Sequence, residues 1–470
     1  GEGFPEFVFV RPSVPLPEGD QGLLVVTKGV KTTNGVELGR GREWDRNRPE
    51  LEAAAAALGV EESEVVLALE PKAAPVSAQY LSLKAWVDGP SGLVAVTVPA
   101  KGMDEDRPVG VWRSQDSDWS VMLRWLTKAS WAGPITDVDR VVIGHLDAKD
   151  PRQNGAWRDD WVADPSQAPT LPLRFALTVP VGPKPAGGWP TVIGAHGVNG
   201  RNVPSMGSGD AFCLEHAQYL AAAGIACLGI DAPSQGTRGN IIGFFDIESV
   251  PTMRENFREM TFDLMQLARA APSIDTDGDG TGDLSPELGF FGNSLGAMMG
   301  SSYVALDQRI RYALLNVPGG GLANILVSQV NHDRIGLLMV AKTSVIFDSA
   351  EYYSSFPMVR AVAQPFLEPA DMVNVFRLID RERAVLMQMG VGDQTIPNGT
   401  TLDLKGAGEL PELTMPVSGS APVRAFYRLD PKAYGRPATY DAHNVFGDIA
   451  ATRAQAIEFL RSKGTTFILP

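Results

Sequence analysis

The residues with the clearest capacity for chemistry are Gly292-Asn293-Ser294-Leu295-Gly296, a G-x-S-x-G run. Five loosely specified residues recur by chance, so the flanks decide its meaning. The apolar run Leu288 to Phe291 reads as a strand and the small-residue run after Leu295 opens as a helix. A strand, a sharp turn and a helix hold a serine hydroxyl exposed at a helix N-terminus, where developing negative charge is favoured. A hydroxyl is a weak nucleophile until a base takes its proton, so Ser294 needs a histidine within hydrogen-bond reach, and that histidine needs an acid to orient it. The chain has five histidines. Behind such an elbow the partners follow in the order serine, acid, histidine, which selects His443 in the loop YDAHNVF as the base. His332 is its rival, and His145 and His216 read as structural. Asp393 ends the strand AVLMQMGVG and is the expected acid; Asp441, two residues before His443, is the alternative and reads more naturally as a loop cap. The oxyanion of an acyl-transfer intermediate needs two donors, expected from the backbone amides of Leu295 and of Val198 in the loop His196-Gly197-Val198-Asn199. His196 is expected to brace that loop.

The elements that must carry these residues are legible from Leu173 onward, where apolar β runs alternate with helical periods, as βαβ units of a parallel sheet do. RFALTVPVG, TVIGAHG, IACLGID, ELGFFGN, YALLNVPGG, AVLMQMGVGD and RAFYRL are the expected strands. AFCLEHAQYLAAAG, FREMTFDLMQLARAA and ATRAQAIEFLRSKG are the expected helices. An apolar insertion of more than 60 residues, about 320 to 383, exceeds an ordinary loop and is expected as a helical cap over the rim. Upstream, the short runs FVFV, GLLVVT, EVVLALE, LVAVTV and RVVIG, broken by turn residues, predict a separate β-rich domain over residues 1–165, an Ig-like sandwich. One helix, Arg48 to Leu58, interrupts it before Gly59. The catalytic domain is then expected over 166–470. Six of the nine tryptophans fall between Trp112 and Trp161, and core filling explains them better than an exposed binding face.

Asp275-Thr276-Asp277-Gly278-Asp279-Gly280-Thr281-Gly282-Asp283 sets acidic side chains at positions one, three, five and nine of a loop. With the Thr281 carbonyl, that spacing predicts a structural Ca²⁺ held by Asp275, Asp277, Asp279, Thr281 and Asp283. It departs from an EF-hand, since Pro286 stands where a bidentate glutamate belongs and Glu287 is displaced by one. Arg238, in SQGTRG, is expected either to bind an anionic substrate group or to hold its own loop through carbonyls. Ser208 and Ser234 lack an elbow and are not expected to compete with Ser294.

Together the HG loop, the GNSLG elbow, the GDQTIP acid loop and the late HN resemble the α/β-hydrolase superfamily across about residues 170 to 470. More narrowly, LPLRFALTVPVG, DTDGDGTGDL and QPFLEPADMVN are similar to segments of bacterial extracellular lipases with a virulence-factor-type N-terminal domain, a group that includes surface lysophospholipases. The resemblance implies a mostly parallel sheet flanked by helices and ester hydrolysis through an acyl-serine, with no catalytic cofactor. An amidase, thioesterase, lysophospholipase or polyester depolymerase would use the same residues, and a non-catalytic surface adhesin is the reading from another class.

A net charge of -14 disfavours nucleic acid, and 44% hydrophobic residues over 470 positions support a large core. No apolar run is long enough to span a membrane. Expected partners are small-molecule, lipid or polymeric esters, and the expected location is secreted, outer-surface or periplasmic, with a lipid anchor on a removed N-terminus left open. Cys213 and Cys227 read best as small buried apolar residues, pairing being the alternative.

Overall fold

The computed structural model describes residues 24–31, 35–37, 53, 56–69, 75–127, 133–206, 211–246, 249–326, 328 and 363–470. The chain divides into two compact units, Gly1–Val76 and Ser77–Pro470. In the first, Leu24–Thr27 pairs antiparallel with Val65–Leu69, and the described residues at the end of the expected Arg48–Leu58 helix are helical up to Gly59, whose φ is 66°. The run FVFV and the rest of that helix lie outside the described residues.

The second unit is built on one 11-stranded sheet. Its strands are β1 (Val96–Thr97), β2 (Gly102–Asp104), β3 (Arg107–Arg113), β4 (Val138–Lys149), β5 (Thr170–Pro180) and β6 (Trp189–Ala195). They continue as β7 (Ala226–Ile230), β8 (Leu284–Asn293), β9 (Ile310–Asn316), β10 (Ala384–Gly390) and β11 (Arg424–Leu429). In space the order is β11-β10-β9-β8-β6-β7-β5-β4-β3-β2, with β1 also on β4. From β7 to β11 every neighbour is parallel, whereas β5, β4, β3 and β2 are antiparallel.

Burial follows from this arrangement. All residues of β7 and β10 are buried, because helices cover both faces of a parallel sheet. β3 alternates buried and half-exposed positions along its length, the pattern of an antiparallel strand with one wet face. Helix α1 (Ala78–Asp88) puts Tyr80, Leu83 and Val87 into the same core as Met260 and Leu264 of the long helix α2 (Val250–Ala270). Ser249 caps α2 through the Thr252 amide, and a proline occupies its first turn.

This overturns the expected sandwich over 1–165. β4 and β5 pair along almost their whole lengths, Val138–Lys149 against Thr170–Pro180, so a boundary at 165/166 would cut through a continuous ladder. Alternating strands look the same from sequence whether they face a second sheet or extend a mixed one. Trp112, Trp119, Trp125 and Trp157 are buried, as core filling requires. The expected helix over 211–224 is two, Phe212–Glu215 and Ala217–Ala222, broken at His216. Cys213 and Cys227 form a disulfide, correcting the apolar reading: the first helix lays Cys213 against β7 at a Cα separation of 5.4 Å, within bridging range. Of the expected cap, residues 320–326, 328 and 363–383 are described, among them the helices Leu322–Leu326 and Met372–Phe376, the second capped by the buried Asp371. His332, the rival base, lies outside the described residues, as does Ser208.

Candidate active site

Ser294 stands between β8 and helix α3 (Leu295–Leu306), with φ 54° and ψ -122°. A non-glycine residue there is strained, and the surroundings hold it: its amide donates to the Asn316 carbonyl of β9 (2.9 Å), and its carbonyl accepts from Met298 (2.9 Å). The turn is sterically closed. A Cβ on Gly296 would lie 2.2 Å from the Ala195 carbonyl oxygen at the end of β6, so only glycine lets α3 start this close to the sheet. The strained serine at a strand-to-helix turn, on a sheet ordered β5-β7-β6-β8-β9-β10-β11 that is parallel from β7 to β11 with β5 antiparallel at its side, decides the architecture.

The fold is an α/β-hydrolase fold. Its loops bring together side chains 149 and 50 residues apart: His443 Nε2 lies 2.8 Å from Ser294 Oγ, and His443 Nδ1 lies 2.8 Å from Asp393 Oδ2. A carboxylate only accepts, so Nδ1 carries the hydrogen and Nε2 is left to accept from the serine. Ser294 is 3% exposed and Asp393 8%, so the row is shielded from bulk water, while the His443 side chain is 13% exposed.

Each member is fixed from below. Asp393 Oδ1 accepts from the amides of Thr395 and Ile396, both at 2.8 Å, which aims Oδ2 at the imidazole. Asn398 bonds the Gly390 carbonyl and the Gly392 amide, clamping the turn that presents Asp393. A Cβ on Gly390 would stand 2.1 Å from the Ala442 carbonyl oxygen, so that glycine lets the histidine loop pack against the end of β10. Asp441 does not touch the imidazole. Its Oδ1 accepts from the amides of His443 (3.0 Å) and Gln394 (2.9 Å), tying the two loops together, more than the cap expected of it.

The loop after β6 lies beside the serine. His196 is buried; burial pushes its pKa below the ordinary imidazole value, and both nitrogens are spent on backbone, Nδ1 with the Gly197 carbonyl (2.8 Å) and Nε2 with the Ala232 amide (3.0 Å). The Asn199 amide donates to Gln235 Oε1 (2.6 Å) and is thereby engaged, while Val198, the residue before it, is 41% exposed. The Leu295 amide opens α3, where no intrahelical acceptor exists. Arg238 bonds buried Asp263 (2.5 Å) and the Asp231 carbonyl (3.1 Å), so it holds its own loop. Gln235 is the residue that sequence reasoning missed; the one available signal was its place in a Pro/Gly-rich loop leaving the C-terminal end of a strand.

The acidic loop lies elsewhere, before β8. Oxygens of Asp275, Asp277 and Asp283 come within 4.8 Å of one another, but Asp279 is turned to Thr281, accepting from its amide and hydroxyl. Those bonds, with Lys184, lower the Asp279 pKa to about 2. Asp275 spends both oxygens on the amides of Asp277, Gly278 and Gly280. The Lys184 ammonium contacts Asp283 (2.5 Å), Asp279 (3.2 Å) and Asp277 (3.7 Å). Three carboxylates thus converge with the Lys184 ammonium against them, while Asp279, one of the expected ligands, is turned aside to Thr281.

No protein-family model and no curated protein sequence matches the chain. Among solved structures it is similar to an acetyl xylan esterase from Paenibacillus sp. R4, at 16% identity over 64% of this chain and 80% of that one, TM-score 0.42. It is also similar to a glucuronoyl esterase from Solibacter usitatus, at 13% identity over 96% and 98%, TM-score 0.39. Esterase B from Lactobacillus rhamnosis matches at 15% identity over 69% and 85%, TM-score 0.39.

Proposed function

We propose that the chain is a serine carboxylester hydrolase working through an acyl-enzyme on Ser294. The observation that carries this reading is the hydrogen-bonded row Asp393–His443–Ser294 beneath a strained elbow. His443 Nε2 takes the hydroxyl proton as Oγ adds to the ester carbonyl, and the amides of Leu295 and Val198 receive the oxyanion. The imidazolium, stabilised by Asp393, returns the proton to the departing alkoxide. Water, deprotonated by the same nitrogen, then cleaves the acyl-serine and releases the acid. No step requires a metal or organic cofactor. The substrate is an ester of a small molecule, lipid or polymer.

A structural Ca²⁺ at Asp275, Asp277 and Asp283 belongs to this reading only as an ion that displaces the Lys184 ammonium. The Cys213–Cys227 disulfide supports an oxidising location, secreted or periplasmic, and no described helix is long and apolar enough to cross a membrane.

The test is covalent. A fluorophosphonate is expected to label the wild type and not Ser294→Ala, and intact mass after a slow ester should show acylation at Ser294. An unlabelled wild type would end the enzyme reading.

A further inference from the structure

The loop proposed to receive the oxyanion is pinned to a second loop, residues 231–238, at three places. The His196 ring accepts from the Ala232 amide (3.0 Å), Gln235 Oε1 accepts from the Asn199 amide (2.6 Å), and Asp231 Oδ1 accepts from the amides of Asn202 (2.5 Å) and Val203 (3.0 Å). The first and last bonds hold the loop's two ends. Between them lies the stretch that carries Val198, and Gln235 reaches it from the second loop.

Two features single out Gln235. Asn199 has φ 58°, a left-handed conformation that costs an L-residue free energy, so something must hold the peptide between Val198 and Asn199. Gln235 is 1% exposed and its Nε2 has no hydrogen-bond partner among the described residues. An amide buried with an orphaned donor is a poor choice for packing, since an apolar side chain of that length would avoid the desolvation cost. What the residue contributes is the bond from its oxygen to the Asn199 amide. The 231–238 loop is itself anchored: Arg238 bonds Asp263 and the Asp231 carbonyl, and Asp231 Oδ2 accepts from the Thr237 amide (2.7 Å). Gln235 thus stands on a rigid base.

We infer that Gln235 is a positioning residue for oxyanion stabilisation: by accepting from Asn199 it fixes the peptide that directs the Val198 amide and blocks the competing use of the Asn199 amide as donor. This rests on the ester-hydrolase reading and names a residue outside the Ser–His–Asp row.

Gln235→Met keeps the length and removes the acceptor. In the full-length protein, kcat on p-nitrophenyl acetate is expected to fall roughly 10- to 100-fold with KM within about twofold, as for a modest misplacement of a reacting group. A trifluoromethyl ketone, which forms a tetrahedral adduct with the serine, should lose affinity by the same factor as kcat/KM, because both read the oxyanion contact. A merely structural role would lower the melting temperature and leave that proportionality absent. Wild-type kcat and inhibitor affinity in Gln235→Met would overturn the inference while leaving the hydrolase reading intact; a wild type with neither turnover nor fluorophosphonate labelling would remove the hydrolase reading itself. Should Gln235→Met not fold, hydrogen exchange on the wild type decides: an Asn199 amide slowed at least about 100-fold supports the bond, and free exchange overturns it.

Discussion

At the scale of single residues, the two aspartates near His443 divide the work that a sequence assigns to one. Asp393 touches Nδ1, while Asp441 bonds only backbone amides and joins the acid loop to the histidine loop. The difference is measurable. Asp393→Asn offers a side-chain amide where a carboxylate stabilised the imidazolium, and its kcat is expected to drop on the order of 10³- to 10⁴-fold. Asp441→Asn retains an acceptor oxygen and should keep kcat within a few-fold. Asp441→Ala frees both loops and should lose roughly 10- to 100-fold, with little change in KM. Steady-state kinetics on one chromogenic ester compares the three; an Asp441→Asn variant as crippled as Asp393→Asn would reverse the assignment.

At the scale of elements, one expected helix is two, and His216 stands at the break. Its ring sits among Phe212, Phe291 and Phe446, with centroids 4.8, 5.6 and 5.1 Å away. Nδ1 is buried without a partner among the described residues, and burial, with Arg453 nearby, pushes the pKa down to about 3. In the unfolded chain the same imidazole titrates near 6.5. Between these values the unfolded state binds the extra proton, so stability is full above about pH 6.5 and falls as pH drops towards 3. The slope for one proton is about 1.4 kcal/mol per pH unit. His216→Phe keeps an aromatic in the cluster and should flatten this acid limb, read as urea midpoints across the pH series. An unchanged limb would show that other groups control acid sensitivity. The helix was readable from its apolar period and from Gly224, but the break was not, because nothing local distinguishes a histidine that faces three phenylalanines from one that faces water.

At the scale of the whole molecule, the boundary lies far upstream of the expected one. All eleven strands, the elbow, the acid loop and the histidine loop lie within Ser77–Pro470. A chain beginning at Ser77 is therefore expected to fold and to keep ester turnover within a few-fold of the full protein. A chain beginning at 166 lacks β1 to β4 and exposes the whole β5 edge, an unpaired ladder that promotes association. It should aggregate. Expression, size-exclusion chromatography and turnover of the two truncations test this together, and a soluble, active 166–470 fragment would restore the expected boundary.

The amino-acid sequence alone determined the strand-helix alternation after Leu173, the elbow at Ser294 and the order in which serine, acid and histidine follow. These features depend on local steric rules and short-range periodicity, which a linear chain displays. Only the tertiary structure decided that the upstream strands extend the same sheet, that Cys213 reaches Cys227, that Lys184 sits among the loop's aspartates and that Gln235 grips Asn199. Each of these is a meeting of groups distant along the chain, and hydrophobic pattern does not encode which distant group will be the neighbour.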